Sequence, residues 1–338
     1  MQQSHAVTML ALRAHIVRKV REFFWSQQFI EVETPVALAC PSQEPYLEPL
    51  RTTIHDVRGR AHDAFLRMSP EFSLKKVMAA GVDRVFEIGP VFRDGEPWGD
   101  THNPEFTMIE WYRAHADYRQ LMRDGEALVH TLLRARRTLR YQDQIIDCAT
   151  PWERLTMRQA WRRYARLDLD GLLTRTAMAR ACRAKGYTVT AGDTFDDLFF
   201  KIHLSEVEPK LGRARPTFLT DWPASMAALA RKKSRDPRYA ERVELYLGGL
   251  ELANGFSELT DADEQLARFR EDQRLRKRLG RTPYPIDHAF IAALRRMPPT
   301  AGIALGIDRL VMLLCDAATV DEVRWLPTKK LWETPGSQ

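Results

Sequence analysis

The chain has 338 residues, of which 44% are hydrophobic and 28% are charged, proportions typical of a globular protein. They exclude a fibrous repeat and an intrinsically disordered chain. The formal net charge of +6 fits either a nucleic-acid partner or the handling of nucleotides and an acidic protein. The scatter of basic residues along helical segments favours the second interpretation.

Cationic side chains interrupt the apolar positions of the N-terminal segment at Arg13, Arg18, Lys19 and Arg21. This pattern fits neither a signal peptide nor a membrane span, so we expect a cytoplasmic protein with no membrane partner. The four cysteines are widely separated and lack the paired spacing of a zinc site. Reduced thiols in a reducing compartment are the expectation.

Apolar periodicity, alternation and capping signals predict the first elements. In chain order they are a helix over Thr8–Gln27, strands over Phe29–Pro35, Leu47–Ile54 and Ala64–Met68, and a helix that begins at Ser69-Pro70-Glu71 and ends near Ala80. The start of this last helix has a physical basis, because a serine side chain accepts from free backbone amides and proline loses no hydrogen bond at the first helical position.

Two aromatic-rich runs, Arg84–Phe92 and Glu105–Arg113, predict an antiparallel pair of strands. The charged loop between them exceeds the usual two to five residues of a hairpin, which indicates a binding loop. Phe106, Glu110 and Tyr112 are spaced by even steps, so their side chains should leave one face of the sheet and enter a common pocket.

The remaining pattern predicts further helices and strands. They are helices over Tyr118–Arg136 and Pro151–Glu208, strands over Thr217–Thr220 and Glu241–Phe256, a helix over Asp263–Leu279, and a Gly302–Asp308 turn before a helix over Arg309–Cys315. The strands do not alternate regularly with helices. We therefore predict an α+β fold with a mostly antiparallel sheet flanked by helices.

Three segments together resemble the class II aminoacyl-tRNA synthetases. Phe29–Pro35 is similar to motif 1, Phe92–Tyr112 to motif 2 and Gly302–Arg309 to motif 3. Two further strings, Ser69–Lys76 and Glu251–Leu259, are similar to the lysyl branch. The resemblance implies a single catalytic domain over residues 1–338, with a helical insertion at about 150–208.

The resemblance implies an ATP site with magnesium. It assigns catalysis to Arg93 and Arg309, ATP contacts to Arg93, Glu96, Asn103, Phe106, Glu251, Leu252, Gly306 and Arg309, and Mg²⁺ ligands to Glu251 and Glu258. The residue chemistry agrees, because fixed cations stabilise charge on a reacting phosphate and carboxylates bind Mg²⁺. Motif 2 departs from the family, since Gly95 replaces the usual glutamate and Glu96 follows it.

A second implied site binds an amino acid with a side-chain amine. Its residues are Ser69, Pro70, Glu71, Glu110, Tyr112, Asn254, Glu258 and Ala304. A buried ammonium is tolerated only where carboxylates and hydroxyls receive it, which favours lysine or a close isomer. Ala304 stands where tRNA-charging lysyl enzymes usually have glycine, and this change favours (R)-beta-lysine.

Motif 1 begins near residue 29, which leaves no room for the anticodon-binding barrel of lysyl-tRNA synthetases. The chain resembles the stand-alone paralogues of those enzymes, and this implies a homodimer that does not read an anticodon and whose acceptor is a lysine of translation elongation factor P.

Two alternatives remain open. One is a minimal synthetase-like enzyme that acylates tRNA or another amine. The other is an inactive paralogue that senses lysine or ATP, although such a protein has no need for costly buried charges.

Overall fold

A computed structural model describes residues 2–134 and 136–332. In these residues the strands are β1 (Ile30–Glu31), β2 (Ala37–Leu38), β3 (Arg51–His55), β4 (Ala61–Leu66), β5 (Arg84–Phe92), β6 (Glu105–Ala114), β7 (Thr138–Tyr141), β8 (Gln144–Asp147), β9 (Glu153–Thr156), β10 (Thr217–Pro223), β11 (Tyr239–Leu247), β12 (Leu250–Ser257) and β13 (Thr300–Gly306). The helices are α1 (Gln2–Ser26), α2 (Glu71–Ala79), α3 (Tyr118–Leu132), α4 (Met157–Ala160), α5 (Arg175–Ala184), α6 (Phe195–Ile202), α7 (Ala262–Arg278), α8 (His288–Leu294), α9 (Ile307–Cys315), α10 (Val320–Val323) and α11 (Thr328–Trp332).

The main sheet has the spatial order β1-β5-β6-β13-β12-β11-β10-β9. Its two outermost pairs, β1 with β5 and β9 with β10, are parallel, and the pairs between them are antiparallel. A small sheet, β2-β4-β3, and the β7–β8 hairpin lie outside it. The prediction of a mostly antiparallel sheet flanked by helices is confirmed.

One face of the main sheet packs in the apolar core and the other carries polar side chains, as β6 shows. Ile109 and Trp111 are fully buried in the largest apolar cluster, which also includes residues of α1, α3 and α9. Phe24 of α1 packs on Trp111 with ring centroids 5.0 Å apart. The alternate residues, such as Glu110, point to the opposite face, where the polar site is located.

The predicted Gly302–Asp308 turn is wrong, because these residues belong to β13 and to the start of α9. Glycine here permits close approach. A Cβ added at Gly302 would lie 2.0 Å from Tyr112 Cε1 and one at Gly255 would lie 2.6 Å from Ile303 Cβ. Glycine within a strand can mark such a close approach as well as a turn.

Other predicted boundaries also need correction. Glu153–Thr156, within the predicted helical stretch, is a strand that pairs with β10. The predicted strand Glu241–Phe256 is a hairpin turned at Gly248 and Gly249, where φ is 65° and 82°. The helix predicted over Tyr118–Arg136 ends at Leu132, and Ala135 lies outside the described residues. Helix α8 was not predicted.

The helical segment after β9 packs against β10 and β11 through an apolar cluster of its own. Trp161 stacks on Phe199 with centroids 4.7 Å apart, and Phe199 contacts Trp222 of β10. This packing fixes α6 beside the polar face of the sheet. Among the described residues, no helix is both long and apolar enough to cross a membrane.

Candidate active site

A β-bulge in β12 determines which side chains reach the polar face. Tyr246 pairs with Glu251 and Leu245 pairs with Ala253, so Leu252 is an extra residue in the ladder. The bulge places Glu251 on the face that carries Asn254, whereas regular alternation would have put these residues, three apart, on opposite faces. The bulge also places Glu251 on the same face of the sheet as Glu258, seven residues further on.

One row of cross-strand neighbours forms the floor of the site. In spatial order it consists of Glu110, Ala304, Asn254 and Glu244. Directly opposed residues share a face of a sheet and lie within contact distance. Ala304 therefore lies between the Glu110 carboxylate and the Asn254 amide, whose Oδ1 is buried and has no hydrogen-bond partner among the described residues.

A cavity of about 1220 Å³ lies above this floor. The predicted site residues that line it are Ser69, Glu71, Arg93, Glu96, Asn103, Phe106, Glu110, Glu251, Leu252, Asn254, Ala304, Gly306 and Arg309. Pro70, Tyr112 and Glu258 do not line it. Tyr112 and Glu258 are each 2% exposed and lie just behind the lining, and Pro70 is the N-cap residue of α2.

Arg93 follows β5 and its guanidinium is held above an aromatic ring. Its Cζ lies 5.0 Å from the centroid of Phe106, a cation–π distance. Burial lowers the pKa of Arg93, while the charges of Glu96 and Glu251 oppose that shift. Its buried Nε has no hydrogen-bond partner among the described residues, so this cation has capacity left for an anionic ligand.

Arg309, in the first turn of α9, is fixed by backbone carbonyls. Its Nη1 donates to the Glu251 carbonyl over 2.8 Å and its Nε donates to the Thr101 carbonyl over 3.3 Å. Its Nη2 lies 3.0 Å from His102 Nε2. The guanidinium thus joins β12 to the loop between β5 and β6. The neighbouring Asp308 binds Arg13 of α1 over 2.6 Å, which anchors the start of α9.

At the other end of the cavity, a carboxylate is held by two hydroxyl groups. Ser69 Oγ donates to Glu110 Oε1 over 2.5 Å and Tyr112 OH donates to Glu110 Oε2 over 3.1 Å. Burial, followed by the charge of Glu71, raises the pKa of Glu110 to about 7. Ser69 Oγ also accepts from the Glu71 amide over 2.9 Å, so the predicted helix-start signal also orients Glu110.

Lys75 is a residue of this end that the sequence reasoning did not assign to the site. Its side chain is 1% exposed, and its Nζ lies 2.6 Å from Glu71 Oε1 and 2.5 Å from Glu258 Oε2. Burial raises the pKa of Glu258 to about 8, although Lys75 opposes the shift. Along the sequence, Glu71 and Lys75 resemble an ordinary i,i+4 pair on a helix surface, and only the fold buries them.

The pairing of Glu251 with Glu258 at a metal ion stays a prediction. Glu251 lines the cavity, and Glu258 lies behind the lining with Lys75 2.5 Å from its Oε2. A third carboxylate of these strands, Glu244, is already occupied, because its Oε1 accepts from Arg242 Nη2 over 2.7 Å and its Oε2 accepts from Tyr246 OH over 2.7 Å. Burial and then the charge of Glu251 raise the pKa of Glu244 to about 8. Within the described residues, no group of three or more histidine, cysteine or acidic side chains could hold a metal by itself.

Asn103 lines the cavity but also has a structural task. Its Nδ2 donates to the Glu105 carbonyl over 2.5 Å and its Oδ1 accepts from the Thr328 amide over 3.1 Å. These bonds join the β5–β6 loop to α11. Glu96 is the leading charge acting on Arg93, so the glutamate displaced by Gly95 still lies at the arginine end.

The sheet and the cavity, which is lined by Arg93 and Arg309 as well as by Glu71 and Glu110, define a class II synthetase catalytic domain. The chain belongs to the family of class II tRNA synthetases (D, K and N), whose sequence profile matches residues 1–330. This confirms the class predicted from the three motifs.

Relatives with a specific name extend this result. A protein of Yersinia enterocolitica named "Elongation factor P--(R)-beta-lysine ligase" is 40% identical over 333 residues, which cover 96% of this chain and 97% of that protein. A protein of Mannheimia succiniciproducens with the same name is 39% identical over 324 residues and 95% of each chain. One from Yersinia pestis is 39% identical over 333 residues, with coverage of 96% and 97%. The predicted resemblance to this stand-alone branch is confirmed.

Proposed function

We propose that this chain activates (R)-beta-lysine, or lysine, with ATP and transfers it to a lysine side chain of translation elongation factor P. One observation carries the proposal: a single cavity is lined by Arg93 and Arg309 and also by Glu71 and Glu110. Arg93 lies over Phe106 near the start of β6, and Glu110 lies further along the same strand. This polarity matches a triphosphate beside a substrate with an amino side chain. The names of the similar proteins support the choice of amino acid and acceptor.

In the first step, a carboxylate oxygen of the amino acid attacks the α-phosphorus of ATP. The bond from that phosphorus to the bridging oxygen breaks, pyrophosphate leaves, and an aminoacyl-adenylate remains. Negative charge develops on the α-phosphate, and preorganised cations stabilise it strongly in a buried site. Arg93 supplies this cation, because its guanidinium is held on Phe106 and its Nε has no other partner. Arg309, fixed by two carbonyls, orients the nucleotide.

The substrate amine is selected at the carboxylate end. Glu110, fixed by Ser69 and Tyr112, accepts from an ammonium group, as does Glu258, whose buried Oε1 has no hydrogen-bond partner among the described residues. Analogues without the amine leave these groups unpaired, which a polar site can penalise by roughly four to five orders of magnitude.

Mg²⁺ would be held by the Glu251 carboxylate, which lines the cavity, and by the phosphates of ATP. When bound, the ion neutralises phosphate charge and orients the leaving pyrophosphate. Glu251 has a second task, since its backbone carbonyl accepts from Arg309. A single strand therefore positions both the carboxylate and the guanidinium.

In the second step, the neutral amine of an acceptor lysine attacks the carbonyl carbon of the adenylate. An amide bond forms, the bond to the phosphate oxygen breaks, AMP leaves, and the amine loses a proton.

The helical segment at about 150–208 is an insertion that forms part of the cavity lining. Asp196 and Phe200 of α6 line the cavity.

We place the protein in the cytoplasm, with translation, and as a homodimer. The dimer is supported by apolar residues of α1 and β1 that the single chain leaves exposed. Trp25 is 51% exposed and Ile30 is 54% exposed. Ile30 lies in the segment similar to motif 1 and Trp25 lies just before it, near the end of α1, so we expect a second copy of the chain to cover them.

The test has two stages. ATP–pyrophosphate exchange is measured with (R)-beta-lysine and with lysine, and we expect faster exchange with (R)-beta-lysine. The labelled amino acid is then incubated with ATP, elongation factor P and bulk tRNA. Label on elongation factor P, located on one lysine by mass spectrometry, supports the proposal. Label on tRNA supports the minimal synthetase, and a lack of exchange supports the inactive sensor.

A further inference from the structure

Lys75 is a deeply buried cation beside the carboxylates Glu71 and Glu258. Its side chain is 1% exposed, and besides its two carboxylate partners it lies 6.0 Å from the ring centroid of Phe290. Burying an ammonium is unfavourable unless close counter-charges compensate for it. An ion pair that only joined two elements could lie at the surface. The burial of this ammonium therefore suggests a role in the site.

The ion pairs of Lys75 join two elements that bring different parts of the site. Glu71 stands at the start of α2, and Glu258 directly follows β12. Lys75 Nζ contacts one oxygen of each carboxylate. Each carboxylate has two oxygens, so one oxygen of each is fixed and the other is left for a further donor. For Glu258 that oxygen, Oε1, is buried without a hydrogen-bond partner among the described residues.

The charges around Lys75 also indicate that these carboxylates bind a cationic ligand. Within the described residues, Glu71, Glu110 and Glu258 act on one another electrostatically, and Lys75 is a cation that acts on Glu110 and Glu258. The carboxylates therefore outnumber the one buried ammonium, so this part of the cavity attracts a further cationic group, such as an ammonium of the amino acid.

We propose that Lys75 is a positioning residue for the amino-acid substrate, whose buried ammonium holds Glu71 and Glu258 so that their remaining oxygens accept from the two amino groups. The inference rests on the proposed function. Lys75 touches the carboxylates and not the ATP end of the cavity. Its loss should therefore weaken binding of the amino acid and leave binding of ATP intact.

The experiment compares Lys75→Met, Lys75→Gln and Lys75→Arg in ATP–pyrophosphate exchange, with KM measured separately for (R)-beta-lysine and for ATP. Glutamine keeps hydrogen-bond donors without the charge, so it limits the damage to folding. The matched control is Lys76→Met, the next residue on the same helix, whose Nζ pairs with Asp287 over 2.5 Å and whose side chain is 37% exposed. Circular dichroism and KM for ATP report whether each variant is folded.

We expect KM for (R)-beta-lysine to rise by about tenfold or more in Lys75→Met and Lys75→Gln, as for the loss of one partner of a buried charge pair. KM for ATP should stay within about twofold, Lys75→Arg should recover part of the loss, and Lys76→Met should resemble the unmodified protein. A folded Lys75→Gln with an unchanged KM for (R)-beta-lysine overturns the inference. If the unmodified protein activates no diamino acid, the proposed function itself fails.

Discussion

Ala304 of β13 is the direct cross-strand neighbour of Glu110 of β6 in the floor of the cavity. On its other side it pairs with Asn254. Its methyl group therefore occupies the position between a carboxylate and an amide that are both proposed to contact the amino acid. A change at this residue alters the shape of the floor without altering its charge.

Replacing Ala304 with glycine should shift selectivity from (R)-beta-lysine toward lysine, because the methyl group shapes the floor under the amino groups. The ratio of the two exchange rates should fall by about tenfold, within the range for one methyl group in a pocket. The control is Ala301→Gly, the same change on the same strand but in the fully buried apolar cluster on the opposite face. An unchanged ratio in Ala304→Gly would remove this role.

The KM for the amino acid should depend on pH. Burial raises the pKa of Glu110 to about 7 and that of Glu258 to about 8. An ammonium group binds the ionised carboxylates, so KM should rise as the pH falls from about 8.5 to about 6, by about tenfold per pH unit for each proton that must be released. Steady-state exchange over this range provides the measurement, with KM for ATP as the reference. A flat profile would contradict these assignments.

The same shifts give the free protein the opposite trend in stability. A carboxyl group whose pKa is higher in the folded state than in the unfolded state favours folding when protonated. Its contribution is present below the unfolded pKa and is lost as the pH rises through the folded pKa. Because (R)-beta-lysine binds the ionised carboxylates, it should bind more tightly at high pH. The increase in melting temperature that it causes should be larger at about pH 8.5 than at about pH 6.

Substitution of three glutamates tests which carboxylates contact the metal ion. Glu251→Gln should raise the Mg²⁺ concentration needed for half-maximal exchange, because it removes a charged oxygen ligand. Glu244→Gln should leave this concentration unchanged, because the Glu244 oxygens already accept from Arg242 and Tyr246. Glu258→Gln should raise KM for the amino acid. Titration with Mg²⁺ at saturating ATP gives the comparison: a raised Mg²⁺ requirement in Glu258→Gln would support the pairing of Glu251 with Glu258, and one in Glu244→Gln would contradict the role given to Glu251 alone.

Two glycines of β13 should respond differently to alanine. A Cβ at Gly302 meets the Tyr112 ring at 2.0 Å, so Gly302→Ala should lower the free energy of unfolding by about 1–3 kcal/mol. A Cβ at Gly306 has its nearest neighbour, in Arg309, at 3.9 Å and faces the cavity. Gly306→Ala should therefore keep its stability and raise KM for ATP. Chemical denaturation and exchange kinetics test the pair, and equal losses of stability would count against this distinction.

Local signals in the sequence were sufficient for much of the fold. The alternation of β5 and β6 predicted strands within a residue of their observed ends, and the signal at Ser69 located the start of α2. These local signals were insufficient where a glycine could either form a turn or allow a close approach between strands. Gly302 of β13 leaves room for the Tyr112 ring, and no local pattern distinguishes that use from a turn. The bulge at Leu252 also leaves no mark in the spacing of Glu251 and Glu258.

By itself, the sequence determined the class of the protein, the mostly antiparallel sheet and the residue types of the site, because periodicity and motif spacing are properties of consecutive residues. Only the tertiary structure decided which charges meet. It placed Glu251 beside Glu244 and enclosed Lys75 between Glu71 and Glu258. Contacts between residues distant in the chain depend on register, bulges and burial, and these are set by how the whole sheet and its helices pack.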